Sequence, residues 1–497
     1  MAAIYWVPSC VAVDRSRHLV VTCENPPIEL SSYLLSLGRA VFQTAHSLSV
    51  VQEITALQHL LGRAGRYPVI HVPQPRLVDG RTSEIGLVTN LCASRELMAH
   101  ALSISDHREC ARTFASRAST GIAPVDVGRG QAPVQQLVAQ GGDIDLRQLP
   151  ALRQHVFDVG HYVTAGHCST IEPDSGADNT SIQRCWVKGQ RLLSFFPYSG
   201  SHNARNVEKF WARGEPCPVA IWIGHHPAVV IGSQAKLAYP ESHWSAAGGI
   251  AGQSIRMVPT ITHGDRLKVP ADAEIVIEGW IPPHRLEADG PFAEYPGYVG
   301  VQIATPVIEV TCLTRRREAI LHDFGGGLED HLIPENMAME GKVYTLVKPV
   351  APTLINVHVP FSGRRFHAYL QFRDPPRGEV RDALMAALAY RRLRTVVAVD
   401  EDIDIFDDRS VLWAMSTRVQ WHRDTIEADG LTHGNLDPSL PLGATTVTKL
   451  GIDATLPPAP AYGLPKPVAP RNAVSDSALA AAAKALKEVD MTGWPST

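Results

Sequence analysis

The chain reads as a multidomain α+β and α/β protein. It has an N-terminal α/β unit, a central β-rich unit of barrel type, and a C-terminal α/β domain ending in a terminal helix. Three observations predict this. At 497 residues the chain exceeds what one hydrophobic core supports. Helical and strand periodicities alternate in its first and last parts. Between about residues 131 and 325 they give way to short β-type runs cut by turn residues.

In the N-terminal unit, Leu30, Leu34 and Leu37 recur at helical spacing within residues 28–42, with Gly38 near the end. Tyr67-Pro-Val-Ile-His-Val72 predicts a buried strand, and residues 96–102 continue the alternation. A Gly- and Gln-rich linker, residues 128–133, follows. Central strands are predicted at Tyr162-Val-Thr-Ala165, Arg184-Cys-Trp-Val187, residues 219–224 and Ile275-Val-Ile277. They are punctuated by Asp174-Ser-Gly176, Lys188-Gly-Gln190, Ser199-Gly-Ser201 and His263-Gly-Asp265. Beyond residue 326, Val380, Leu384 and Leu388 mark one helix face, and Thr395-Val-Val-Ala-Val-Asp400 reads as a strand. Residues 456–471 form a Pro-rich extended tail, and residues 477–489 an Ala- and Lys-rich helix.

The composition excludes several function classes. A net charge of −4, with 45% hydrophobic and 19% charged residues, describes a soluble globular protein without a basic nucleic-acid or membrane-binding surface. The eight cysteines are dispersed and form no C-x-x-C, which suits free thiols in a reducing compartment. Residues 1–7 lack a basic region leading into a long apolar run, and no apolar stretch of about 18 residues occurs, so a cytoplasmic protein is expected.

The most informative stretch is Asp289-Gly-Pro-Phe-Ala-Glu-Tyr-Pro-Gly-Tyr-Val-Gly300. Its density of Gly and Pro predicts a rigid loop that carries two acids, Asp289 and Glu294, between strand patterns at 274–278 and 306–313. Composition alone would make it a solvated turn. A second segment, Asp178-Asn-Thr-Ser-Ile-Gln-Arg184, alternates Asn179, Ser181 and Gln183 on one strand face. That row offers oxygen ligands and hydroxyl donors to a phosphate and its cation, or simply a polar outer face of an edge strand.

Together these two motifs resemble the UbiD-type decarboxylases. Gly142-Asp-Ile-Asp-Leu146, residues 269–279, Glu401-Asp-Ile-Asp-Ile-Phe406 and residues 449–455 look like the same family in the same order, so the resemblance spans roughly residues 130–457. It implies an N-terminal α/β domain over 1–125, a split β-barrel that binds prenylated FMN over 126–325, a C-terminal α/β dimerisation domain over 326–456, and a tail with terminal helix over 457–497. It also implies reversible non-oxidative decarboxylation of an aromatic, heteroaromatic or α,β-unsaturated acid.

By the same resemblance Arg184, Asp289 and Glu294 form an Arg–acid–acid triad, with Glu294 as proton donor. Asp289 stands where the family usually has Glu. The cofactor-binding residues implied are Asn179, Thr180, Ser181, Ile182, Gln183, Arg184 and His202. A divalent ion, Mn2+ or Mg2+, accompanied by K+, is implied on Asn179 and His202. The usual third ligand, a Glu five residues before Gly248, is replaced by His243, so either His243, which position favours, or the nearby Glu241 completes the set, or the metal site is weakened. The expected partners are a UbiX-like flavin prenyltransferase, which supplies the cofactor, and a second copy of the chain in a homodimer or an assembly of dimers.

Other features have plainer readings. His225-His226 resembles a metal pair, but adjacent strand residues face opposite ways. Gly325-Gly-Gly327 before Glu329-Asp-His331 fits an anion cradle or a crossover. Asp400-Glu-Asp402 reads as a strand-end charge cluster. Two competing functions are an ordinary FMN oxidoreductase, disfavoured by the lack of a Gly-x-Gly-x-x-Gly fingerprint, and a non-catalytic paralogue serving as an assembly partner.

Overall fold

The computed structural model describes residues 28–376, 378–434, 436–441, 443–457 and 469–487. The termini, with Cys10, Cys23 and most of the Pro-rich tail, lie outside the described residues, as do the last two residues of the predicted terminal helix. The fold is mixed α/β, as expected, and divides into two compact units. One comprises residues up to 103, 117–292 and 301–325; the other comprises 104–116, 293–300 and 326 onward.

In the first unit, helix Leu30–Leu37 stops at Gly38, whose φ of +52° a side chain would resist. The predicted helix over 28–42 is therefore shorter, and Val41–Gln43 begins a sheet instead. That four-stranded sheet runs in the order 41–43, 69–72, 86–89, 320–322. Its last strand, Ile320–His322, arrives from far along the sequence and pairs parallel with Gly86–Thr89. The predicted linker is ordered into 3-10 turns at Arg129–Gln131 and Pro133–Gln135, with the Gln131 carbonyl accepting from Arg256.

The larger sheet of this unit has eight strands, all paired antiparallel. Its path is 192–194, 303–315, 275–281, 217–223, 167–171, 178–182, and strands 286–289 and 137–140 also pair with 303–315. Cys217–Ile223 is buried along its whole length, as a strand covered on both faces must be. At Gly279 the register shifts, and a Cβ there would lie 2.3 Å from the Glu309 carbonyl oxygen, so only glycine fits this close approach.

The second unit holds a five-stranded sheet in the order 354–358, 367–372, 395–400, 447–453, 425–431, parallel at its centre and antiparallel at both edges. Alternation in the predicted strand is visible directly. Val396 and Ala398 join a core with Val380, Leu384 and Leu388 of helix Glu379–Leu388, whereas Val397 and Val399 join a second core with Val411 and Ala414 of helix Asp408–Arg418. The sheet is thus covered on both faces. The terminal helix Asp476–Lys487 is present, and its residues 476–486 are exposed. Among the described residues no helix is long and apolar enough to cross a membrane.

Candidate active site

The stretch from Asp289 to Gly300 is not the bare loop that its Gly and Pro content suggests. Asp289 closes a strand, Leu286–Asp289, paired with Ile303 on the long strand Ile303–Arg315. Gly290 ends it with a φ of +81°, and a Cβ there would sit 2.9 Å from the Val301 carbonyl oxygen. Strand pairing, rather than loop rigidity, therefore fixes the first acid.

Arg184 lies two residues beyond strand Asp178–Ile182. Its Nη2 and Nε donate to Asp289 Oδ2 at 2.8 and 3.2 Å, and the two side chains are 9% and 0% exposed. The second oxygen, Asp289 Oδ1, accepts from Ser194 Oγ at 2.8 Å and from the Tyr162 hydroxyl at 3.2 Å. Burial, reinforced by the Asp289 charge, pushes the Tyr162 hydroxyl well above its ordinary pKa and keeps it a donor. The guanidinium lies 4.0 Å from the Phe196 ring centroid and 5.3 Å from that of Phe292, a dry aromatic cradle for a cation that is always charged. Two burial-satisfied charges with every carboxylate oxygen engaged form a preset, immobile pair.

Next to this pair is a polar row. Asn179 and Ser181 share a face of the strand, and Gln183 Nε2 donates to Ser181 Oγ. Asn203, on helix His202–Ala212, binds the row together. Its Oδ1 accepts from Asn179 Nδ2 at 2.7 Å and Thr170 Oγ1 at 2.8 Å, and its Nδ2 donates to Ser181 Oγ and the Cys168 carbonyl, both at 3.0 Å. Thr180 points the other way, its hydroxyl accepting from Trp222 Nε1. Ile182, two residues on, shares that opposite face, so only the backbone of Thr180 and Ile182 borders the polar row.

His202 opens its helix after the cap Ser201, whose Oγ accepts from the Ala204 amide. His243 precedes helix Trp244–Ala251, and the two imidazole centroids are 6.4 Å apart. Burial lowers the pKa of both, that of His243 to about 3, so both rings are neutral, the state in which imidazole ligates metals. His243 Nδ1 is buried with no hydrogen-bond partner, whereas Glu241 is exposed. Among the described residues no three His, Cys, Asp or Glu side chains converge as a metal-binding group. A set of two histidines and Asn179 falls outside that count. The His225–His226 pair is structural, since His226 Nδ1 caps helix Pro227–Gly232 and His225 Nδ1 accepts from the His226 amide.

Glu294 belongs to the second unit. It is buried, and its segment is tied locally by its amide donating to the Tyr298 carbonyl and its carbonyl accepting from Gly297. Tyr162, Ser194, Phe196 and Asn203 were not singled out as site residues from the sequence. Tyr162 and Ser194 sit in short strands, Phe196 just beyond a strand and Asn203 on a helix, and nothing local in the sequence marks any of them.

Family models decide what this arrangement belongs to. Residues 125–328 match the 3-octaprenyl-4-hydroxybenzoate carboxy-lyase Rift-related domain, and residues 336–454 match the C-terminal domain of the same enzymes. The chain belongs to the UbiD family. It is a carboxy-lyase. Anhydromevalonate phosphate decarboxylase of Methanothermobacter thermautotrophicus is 31% identical over 384 residues, covering 76% of this chain and 87% of that relative. Gallate decarboxylase of Lactiplantibacillus plantarum is 29% identical over 374 residues, 71% and 76% of the two chains. The UbiD-class enzyme HmfF of Pelotomaculum thermopropionicum, solved with FMN, superposes with a TM-score of 0.81 at 30% identity, covering 94% of this chain and all of that one. An evolved dimeric form of HmfF, solved with prFMN, gives a TM-score of 0.80 at 29% identity over 94% of this chain and all of that one.

Proposed function

We propose that this UbiD-family chain reversibly decarboxylates an aromatic, heteroaromatic or α,β-unsaturated carboxylic acid, with prenylated FMN as cofactor and Glu294 as proton donor. The observation that carries the reading is the saturated Arg184–Asp289 pair beside a polar strand row. A protein with no charge to stabilise gains little from burying such a pair.

The residues present suit the group. Asn179, Ser181 and Gln183, with the backbone of Thr180 and Ile182, offer a polar row to a flavin phosphate end, and Arg184 offers a fixed cation. Asn179, His202 and His243 would hold the Mn2+ or Mg2+, with K+ nearby. The buried, unpartnered Nδ1 of His243 supports that residue over the exposed Glu241 as third ligand. When bound, prenylated FMN supplies the electron sink that an sp2 carbon needs as CO2 departs. Arg184 positions the negative charge of the substrate or cofactor, Asp289 holds Arg184 in orientation, and Phe196 and Phe292 exclude water around it. Glu294, in its buried setting, delivers the proton to the carbon that has lost CO2. A UbiX-like prenyltransferase would supply the cofactor, and a second copy of the chain would complete a homodimer or an assembly of dimers in the cytoplasm.

The test is co-expression with a flavin prenyltransferase, followed by CO2 release and solvent deuterium incorporation from a panel of such acids. Glu294→Gln is expected to lower kcat by about 10^2–10^4-fold while the flavin is retained. Full activity in that variant would overturn the assignment of the donor.

A further inference from the structure

Within the second unit, the turn at Phe361-Ser-Gly-Arg-Arg-Phe366 carries a cation with no ion-paired acid among the described residues. Arg364 and Arg365 both adopt left-handed backbone, φ +48° and +67°, a pair of conformations that non-glycine residues rarely take in succession. The turn is held by hydrogen bonds from Gly363 to the Pro360 carbonyl, Arg364 to Phe361 and Phe366 to Gly363. The two arginines then diverge in role. Arg365 is buried and ion-paired to Glu335 at 2.8 Å, and Glu335 also takes Arg392 at 2.8 Å. Arg364 is half-buried, and among the described residues it has no carboxylate within ion-pair distance.

The contacts of Arg364 are a hydrogen bond from Nη1 to the Gly327 carbonyl and a stack over the Phe361 ring at 4.3 Å. Glu329 is the acid whose charge it feels, too distant to pair. One hydrogen bond leaves most of the five guanidinium donors for another acceptor. Burying a cation without a partner is costly, and a fold that spends two left-handed residues to hold it there is shaped for something anionic.

The neighbourhood says what. A Cβ on Gly327 would lie 3.0 Å from the backbone carbonyl oxygen of Glu294, so the peptide that accepts from Arg364 packs directly on the residue assigned as proton donor. Tyr295, next in sequence, lies against Arg365 and Phe366. The cation is thus one peptide layer from Glu294, on the same unit.

We propose that Arg364 is a specificity-determining residue that binds a second anionic group of the substrate, distal to the carboxylate that is lost. The inference rests on the decarboxylase reading above and narrows its substrate class to acids carrying a further carboxylate or phosphate-type group. A guanidinium fork fits either group in bidentate fashion.

Binding to the flavin-loaded full chain, measured by calorimetry without turnover, tests this with two matched sets: benzoate, terephthalate and 4-phosphonobenzoate; and sorbate against muconate. At least one dianionic acid is expected to bind tenfold or more tightly than its monoanionic match, and terephthalate against 4-phosphonobenzoate separates the carboxylate from the phosphate source. Arg364→Met is expected to abolish that preference and Arg364→Lys to retain part of it. If Arg364→Met fails to fold, Arg364→Gln takes its place. Equal affinities within both sets, or a preference that survives in a variant melting like the parent, overturns the proposal. Because binding is read without CO2 release, a chain that decarboxylates nothing yet prefers dianions through Arg364 would refute the reaction and leave this inference standing.

Discussion

At the scale of single residues, the molecule invests most in holding Asp289 still. Four donors from three residues, two from Arg184 and one each from Ser194 and Tyr162, converge on its two oxygens. Asp289→Asn removes the charge that compensates a guanidinium only 9% exposed, and is expected to cost about 3 kcal/mol of stability as well as activity, read by urea unfolding and kcat. Tyr162→Phe deletes one of these donors and leaves three, so about 1 kcal/mol and a modest fall in kcat are expected. The segments that carry Arg184 and Asp289, which the structure pairs, stood out in the sequence because their spacing and flanking Gly and Pro carry the family resemblance. The residues that clamp Asp289 were not legible, since nothing local distinguishes Ser194 from any strand serine.

At the scale of elements, the site is a join between a strand hairpin and a helix. Asn203, one residue into helix His202–Ala212, replaces side-chain-to-water hydrogen bonds with four internal ones to the hairpin 167–182. Asn203→Ala leaves buried partners unsatisfied and is expected to destabilise the protein by about 2–3 kcal/mol. It also frees the Asn179 amide to turn, so on the proposed Asn179, His202 and His243 ligand set retention of divalent metal, measured by metal analysis after dialysis, is expected to fall. Strand and helix periods announced most of these elements. They did not announce where the elements stop. Gly38 cuts the first helix short, and the acid stretch begins as a paired strand because Ile303–Arg315, a 13-residue strand, offers it a partner.

At the scale of the whole molecule, stability is set against acid by buried neutral imidazoles. Burial lowers His167, His243, His322 and His331 to about 3 and His226 to about 4. The unfolded chain takes up protons near pH 6.5 while the folded chain does not, so stability falls as pH drops from about 6.5 toward 4. Glu274 opposes this. Burial raises it to about 7, so the folded state binds its proton first and its contribution is lost as pH rises from about 4.5 to 7; burial raises Asp178, Asp272 and Asp453 in the same sense, but the lowered imidazoles outnumber these acids. Urea melts at pH 8, 6 and 5 are expected to show a monotonic loss. His322→Leu, which removes a fully buried ring with both nitrogens unpartnered, is expected to reduce that loss.

The sequence by itself determined the mixed architecture, the alternating cores of the C-terminal sheet and the family, because these depend on periodicity and on ordered short motifs that are local properties of a chain. Only the tertiary structure decided which neutral residues surround Asp289, that Asn203 organises the polar row, and that, among the described residues, Arg365 takes an ion-paired acid and Arg364 does not. Those outcomes depend on long-range packing: on strand register for the donors around Asp289, where a one-residue slip would turn them to the other face, and on helix and turn placement for the others.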